Sequence, residues 1–509
     1  MLLRGNMKGM EMDGPYRILF VVSESVPFAK TGGLADVAGA LPKELARKGH
    51  EVSVVMPYYA CIPPEMVRSE DEPFSMNVWM GDREEWCLVH TKKIQRNLTY
   101  YFIDYQNYFF REGLYNNSAM QDYQDNPKRF CFLSQAALYL CKTKEIQIDI
   151  VHAHDWQTAP ALIYLKTQHQ NCSCLGKAAG VLTIHNIGYQ GRYPADSYPY
   201  LGFRKEDFNE HVFEDYGGIN LLKGGIYYAD IVNTVSPAYA NETLTPDYSH
   251  GLDRFLQKKG ERYIGILNGV DYSQWDPSQD KLIPRKYSVK NVSGKKTCKT
   301  HLQKKMELYE QEYIPVIGLI SRMAEQKGLH ILADSIEAII KNMQVQFAIL
   351  GSGDKHLEEF YSSLPLKYPG LIGSYIGYDN DLAHLIEAGS DFFIMPSLYE
   401  PCGLNQIYSL RYGTLPIVRA TGGLDDTVEQ YDEATGEGTG FKFYDATPRA
   451  IYDTVGWAVS TYYDRPEHYG EMQQRAMKRS FSWDESASRY ESAYERALRI
   501  SKDNQPTSD

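Results

Sequence analysis

Short apolar runs alternate with stretches of helical spacing along most of the chain, and the alternation comes in two series. In the first, Tyr16 to Ser23 is β-branched and apolar and reads as a strand. Gly32-Gly33 then makes a turn, and Leu34, Val37, Ala38, Leu41 and Leu45 fall on one helical face before Gly49 stops the helix. Further strands are predicted at Glu51 to Met56, Val78 to Met80, Trp86 to Thr91, Thr99 to Asp104, Ile148 to His152, Gly180 to Ile184 and Asp230 to Thr234. Helices are predicted at Asp125 to Thr143, Thr158 to Gln168 and Asn220 to Tyr228.

The second series starts at Tyr263. Val316 to Ile320, Phe347 to Gly351, Leu371 to Ile376, Phe392 to Met395 and Leu415 to Val418 read as strands. Helices fill the gaps, among them Gly328 to Lys341, Leu382 to Ala388 and Asn405 to Tyr412. Two βαβ series of similar length predict an α/β protein of two doubly wound, Rossmann-like domains facing each other across a cleft. The polar segment from Leu252 to Gly260 reads as the hinge, which sets the domains at residues 15–260 and 261–480. Residues 1–14 read as a disordered lead, and residues 481–509 as an amphipathic helix from Ser482 to Ile500, with Tyr490, Tyr494 and Leu498 on its apolar face, followed by a frayed tail from Gln505.

Length supports this division, because 509 residues exceed what one core holds. A net charge of −12 disfavours a general nucleic-acid binder, although a local basic cleft can still hold a phosphate. No apolar run approaches the length of a membrane span, and Met1 to Asp13 lacks the features of a secretory or transit leader. The eight cysteines are scattered without a C-x-x-C pair, as expected for free thiols in a reducing cytoplasm.

Candidate chemistry gathers at predicted strand ends, where open α/β sheets place their ligands. Glu400-Pro401-Cys402-Gly403 forms a turn after the strand Phe392 to Met395, and Thr421-Gly422-Gly423 forms another after the next strand. Lys30-Thr31-Gly32-Gly33 opens a helix after the first strand, which suits either a plain turn or an anion site built from backbone N–H groups. Arg322 and Lys327 sit five apart on a turn leading into a helix, placed either to clamp a diphosphate or as two solvated cations. Gly351-Ser352-Gly353 lacks the third small residue of a dinucleotide fingerprint, since His356 stands there, and this counts against a dehydrogenase. His152-Ala153-His154-Asp155-Trp156 puts two histidines on one face, but no further ligands complete a metal site. His185 has the same placement at the end of the next strand, as a structural or a binding group.

Taken together and in this order, Lys30-Thr-Gly-Gly-Leu-Ala-Asp-Val, His152-Ala-His-Asp-Trp, His185-Asn, Ile266-Leu-Asn-Gly-Val-Asp271, Arg322 with Lys327-Gly-Leu, Glu400-Pro-Cys-Gly-Leu404, Tyr412-Gly-Thr-Leu-Pro and Thr421-Gly-Gly-Leu closely resemble bacterial glycogen synthases and plant starch synthases. The resemblance runs from about Arg17 to Trp483. It implies the two-domain arrangement called GT-B, with an acceptor-side first domain, a donor-side second domain and a C-terminal helix that crosses back to the first. It also implies retaining transfer of glucose from ADP-glucose to the non-reducing end of an α-1,4-glucan, with no cofactor, no metal and no nucleic-acid or membrane partner. Arg322 and Lys327 would hold the diphosphate, and Thr421, Gly422 and Gly423 would add donors. Glu400 would orient the glucose with Cys402 beside it, His185 would bind the sugar 6-hydroxyl, and Asp155 and Asn268 would line the donor sugar. Lys30 and Gly33 would approach the phosphates from the first domain, and Tyr378 would stack on the base.

Two departures from the family pattern leave UDP-glucose as an alternative donor. Leu398 replaces the family's arginine before Glu-Pro-Cys, and Leu385 follows His384 where an arginine is usual. A nucleotide-dependent oxidoreductase and a non-catalytic glucan-binding protein are the competing readings.

Overall fold

The computed structural model describes residues 14–119 and 121–503. The leading segment read as disordered, apart from Gly14, and the tail from Gln505 to Asp509 lie outside the described residues. The chain divides into two compact units. Unit 1 holds the chain up to Thr234, Thr243–Ile266 and the chain from Trp483; unit 2 holds Val235–Glu242 and Leu267–Ser482.

Unit 1 is built on a nine-stranded sheet. Its strands run across the sheet in the order Tyr263–Gly265, Ile231–Thr234, Ala179–Ile184, Ile150–His154, Arg17–Val21, Glu51–Pro57, Leu98–Asp104, Arg83–Gln95 and Phe74–Met80. Pairing is parallel as far as Leu98–Asp104, and the last two strands are antiparallel. The chemistry of the strands follows their place. Ile150–His154, Ala179–Ile184 and Ile231–Thr234 are buried at every position, as a parallel strand covered on both faces must be. The antiparallel strands alternate: Cys87 and Val89 face inward, while Trp86 and Leu88 are exposed.

Unit 2 has a six-stranded parallel sheet in the order Ile372–Ile376, Gln346–Gly353, Val316–Met323, Phe392–Met395, Leu415–Arg419 and Phe441–Phe443. Numbered along the chain this is the Rossmann order 3-2-1-4-5-6. Connections therefore run outward in one direction from Val316–Met323 and in the other from Phe392–Met395. Unit 1 has the same reversal between Arg17–Val21 and Ile150–His154. A crevice opens at such a point beyond the carboxyl ends of the strands, because the two flanking loops leave on opposite faces of the sheet.

Two sequence expectations need correction, and two strands went unread. Leu252 to Gly260 is not a hinge: Asp253–Gln257 is a helix of unit 1, and Leu252 and Leu256 are buried beneath its polar exterior. The contact division falls after Ile266 rather than after residue 260, and Val235–Glu242 belongs to unit 2. The short strands Tyr263–Gly265 and Phe441–Phe443 escaped the reading because three residues carry too little pattern.

The helix Trp483–Asp503 belongs to unit 1, where it packs on Ala179–Ile184, Ile231–Thr234 and the helix Gly33–Arg47. Its buried face includes Ala487, Tyr490, Ala493, Tyr494 and Ala497, at helical spacing. Tyr494 Oη lies 2.9 Å from His152 Nδ1, and Tyr490 Oη accepts a 3.3 Å bond from Asn233. Both contacts join the helix to polar groups that the sheet buries, so the helix satisfies the core as well as covering it. Tyr494→Phe should accordingly destabilise unit 1 by about 1–2 kcal/mol, the consequence of leaving a buried imidazole nitrogen without its partner. Urea denaturation of the full chain measures this; an unchanged midpoint would show that His152 has another partner.

Candidate functional site

In unit 2 the candidate residues stand at the topological reversal. Arg322 is near the end of Val316–Met323, Lys327 follows in a 3-10 turn, and Glu400 follows Phe392–Met395. Two glycine contacts bring these turns together. Gly328 has φ +65°, and a Cβ there would lie 2.0 Å from Pro396 O. Gly422 has φ +45°, and its Cβ would lie 2.1 Å from Glu400 O. Only glycine admits both the backbone angle and the approach. The Leu398 N–H donates to Gln326 O at 2.8 Å, which closes the two loops on each other.

This closure places Lys327 Nζ 2.5 Å from Glu400 Oε2, with Ser397 Oγ donating to the same oxygen at 3.0 Å. Glu400 is buried, so its carboxylate is held in one orientation by two donors. Arg322 is exposed and makes no ion pair among the described residues. Its guanidinium is therefore open to an anion beside the fixed lysine.

Thr421 and Gly422 point their donors at one place: Thr421 Oγ1 and the Gly422 N–H both donate to Glu242 Oε1, at 2.9 and 2.8 Å. Burial pushes the Glu242 carboxyl up, against the pull of these donors. Sequence reading missed Glu242, which comes from the short stretch that unit 2 takes from within the first series. Gly423 does not offer a free donor as expected, because its N–H already donates to Glu400 O at 3.0 Å. A Cβ at Gly423 would lie 1.9 Å from Cys402 O, so this glycine is a spacer between turns. Cys402 is buried, its thiol is pushed up to about 12 by burial, and it therefore stays protonated. Asn268 hydrogen-bonds Cys402, and its buried Oδ1 has no protein partner among the described residues. Tyr378 is 80% exposed, which leaves its ring face free for stacking.

The two departures are accounted for by packing. His384 is buried, bonds Asp280 Oδ2 at 2.8 Å and stacks on Trp275 at 3.8 Å, while Leu385 packs into the apolar cluster beside it. Leu398 packs against the main core of unit 2, and its carbonyl accepts from Arg419 at 2.5 Å.

Unit 1 repeats the arrangement at its own reversal. Lys30 is exposed and pairs with Asp36 at 2.7 Å, and Gly33 opens the helix Gly33–Arg47 with nothing within 4 Å of where its Cβ would stand. Glu24 was not foreseen. It is buried, and its Oε2 accepts from both the backbone N–H and the hydroxyl of Thr31, the latter at 2.9 Å, so it fixes the Lys30–Gly33 loop. Burial pushes its carboxyl up to about 7. A lone carboxylate just past an apolar strand was the available signal.

Asp155, past the neighbouring strand, has φ +55°, a left-handed conformation costly for most residues with a side chain but adopted more readily by Asp and Asn. In return its Oδ1 accepts the His185 N–H at 2.6 Å and that of Asn186 at 3.4 Å. Burial raises its carboxyl to about 7 despite both donors. His185 Nε2 lies 3.0 Å from His154 Nδ1, and burial lowers His185 to about 3, so the pair is neutral. The structure thus joins His154, Asp155 and His185, with His152 behind them bonding Thr183 and Tyr494.

Comparison with known proteins covers most of the chain. The family model described as starch synthase catalytic domain matches residues 17–258, and that described as glycosyl transferases group 1 matches residues 302–479. The chain is 46% identical over 484 residues to glycogen synthase 1 of Geobacter sulfurreducens, covering 95% of this chain and 96% of that one. It is 43% identical over 487 residues to the glycogen synthase of Treponema denticola, covering 95% and 98%. Among solved structures it resembles the catalytic domain of starch synthase IV from Arabidopsis thaliana bound to ADP and acarbose, with a TM-score of 0.86 and 30% identity over 96% of this chain and all of that one. Sucrose-phosphate synthase from Thermosynechococcus elongatus, at 15% identity and a TM-score of 0.56 over 95% of this chain and 99% of that one, shares the fold.

Two outcomes test the geometry. Gly328→Ala should destabilise unit 2 by on the order of 2–3 kcal/mol, since the new Cβ meets both a left-handed angle and the Pro396 carbonyl; thermal unfolding at fixed pH reads it, and a wild-type midpoint would refute the close approach. The second concerns pH. Asp155 is raised from 3.8 to about 7, so the folded chain keeps a proton that the unfolded chain releases, and the stability from this group falls as pH rises through that window. His185 is lowered from 6.5 to about 3, so the stability it contributes is lost as pH falls through that range. Asp155→Asn, which tolerates the left-handed backbone, removes only the first effect. Its stability should rise more steeply with pH between about 4 and 6.5 than that of the wild type, and parallel curves in urea titrations would show Asp155 to be ionised throughout.

Proposed function

This chain belongs to the glycogen and starch synthase family of glycosyltransferases, and we propose that it transfers glucose from ADP-glucose to the 4-hydroxyl at the non-reducing end of an α-1,4-glucan, with retention at the anomeric carbon. It has the two Rossmann-like units of the GT-B fold. The observation that carries the proposal is the set at the unit 2 reversal: an open Arg322, a fixed Lys327 and a buried, oriented Glu400. An oxocarbenium-like transition state leaves negative charge on the departing diphosphate. Arg322 and Lys327 stabilise that charge, and losing one such donor typically slows a reaction on the order of 10²- to 10³-fold.

The other residues have consistent roles. Glu400, gripped by Lys327 and Ser397, orients the sugar. Thr421 and Gly422 offer donors already shown to suit a carboxylate, and the diphosphate competes with Glu242 for them. Asn268 Oδ1 accepts from a sugar hydroxyl. His185, kept neutral by burial, hydrogen-bonds the 6-hydroxyl without adding positive charge beside the developing cation, and Asp155 positions its backbone. Lys30 and Gly33 contribute to phosphate binding, and Tyr378 stacks on the base. Adenine is favoured because the starch synthase IV relative was solved with ADP. We place the reaction in the cytoplasm; the eight cysteines are free, and no helix among the described residues is long and apolar enough to cross a membrane.

The test is incubation with glycogen and labelled ADP-glucose or UDP-glucose. ADP-glucose should label the polymer with the higher kcat/KM, and Lys327→Ala and Glu400→Ala should each lower turnover at least about tenfold while leaving the fold intact. Preference for UDP-glucose would overturn the donor assignment. Glycogen binding without release of nucleoside diphosphate would favour a non-catalytic protein.

A further inference from the structure

Cys172 and Cys174 flank Ser173 in the loop between the helix Pro160–Thr167 and the strand Ala179–Ile184 of unit 1. Both are free thiols, yet their sulfur atoms are 3.1 Å apart, inside ordinary van der Waals contact. A disulfide needs a further approach of about 1 Å. The loop holds them there. The Cys172 N–H donates to His169 O at 3.0 Å, the Gly176 N–H donates to Cys172 O at 2.7 Å, and Cys174 O accepts from the Ile148 N–H at 3.0 Å. Gly176 closes the turn so tightly that a Cβ would lie 2.4 Å from Gln170 O.

The two sulfurs are not equivalent. Cys172 is half-buried and Cys174 is buried. Burial pushes the Cys172 thiol up, but the Cys174 S–H, the backbone N–H groups of Cys174 and Leu175 and the Lys142 charge together bring it below the ordinary value. Burial and then the neighbouring sulfur push Cys174 up to about 12. One member is thus suited to attack and the other to remain a thiol in reserve. Cys61 is exposed, but burial of its sulfur pushes it up.

We propose that Cys172 and Cys174 are a reversible dithiol–disulfide modification site, with Cys172 as the attacking sulfur and Cys174 as the resolving one. The oxidant is a hydroperoxide. The Cys172 thiolate forms an S–O bond as the O–O bond breaks, giving a sulfenic acid and, after one proton is taken up, water or an alcohol. The Cys174 sulfur then attacks Cys172, the S–O bond breaks, and the hydroxyl leaves as water with the Cys174 proton. Two equivalents of a small thiol reverse the change by exchange: the first forms a mixed disulfide with one cysteine and frees the other, and the second displaces it and leaves as the small-molecule disulfide.

The test uses the full chain. Limiting N-ethylmaleimide followed by peptide mapping should modify Cys172 at least about tenfold faster than Cys61, because thiolate fraction outweighs exposure. After one equivalent of hydrogen peroxide, the tryptic peptide that carries both cysteines should be two hydrogens lighter and free of maleimide, and dithiothreitol should restore it. In Cys174→Ser, dimedone should trap a sulfenic acid at Cys172. Faster labelling of Cys61, two maleimides on that peptide after Cys61 has been oxidised, or a disulfide from Cys172 to Cys141, a buried free thiol whose sulfur interacts electrostatically with both, would overturn the proposal.

Discussion

Unit 2 depends on backbone meeting backbone without side chains between. Gly328 against Pro396, Gly422 against Glu400 and Gly423 against Cys402 are three contacts in which a single methyl group has no room. They draw the loops after three strands into one layer above the sheet. Every polar contact in the region follows from that layer, including the Lys327–Glu400 pair and the paired donors of Thr421 and Gly422. A carboxylate and an ammonium on flexible side chains would otherwise lose rotamer freedom to meet, and the meeting would contribute little. Here the backbone supplies the proximity, and the charges need only short, fixed reach.

Unit 1 solves the same problem with burial. Glu24, His154, Asp155 and His185 are all buried near the ends of neighbouring strands, and burial drives each carboxyl up and each imidazole down. The result is a polar cluster tied to loop backbone rather than to countercharges. Cations and a fixed carboxylate mark one unit, and neutral imidazoles beside carboxyls raised by burial mark the other.

Much of this was legible in the sequence because apolar runs bounded by Gly and Pro mark buried parallel strands unambiguously. Phe392–Met395 ends at Pro396 where expected, and Glu400, Arg322 and Lys327 stood out as candidates by their place at or just past a strand end, with solvated surface cations as the alternative for the last two. Glu242 could not, since its place depends on a stretch of eight residues joining the other unit, a fact about tertiary contact with no local signature. The segment Leu252 to Gly260 misled because its two buried leucines are outnumbered by Asp253, Arg254, Lys258 and Lys259. Gly423 shows the limit at a site: sequence supplied a backbone donor, but only the register of the turns shows that the donor is already taken.

The helix Trp483–Asp503 has a bearing on biosynthesis. It covers part of the sheet of unit 1 and meets His152 and Asn233 within it, yet it leaves the ribosome only after all of unit 2 has emerged. The first-made unit must therefore wait, with an apolar face and buried-type polar groups uncovered, while the second is translated. The order of synthesis and the order of completion are opposed, and whatever shields nascent chains has its longest task on that face.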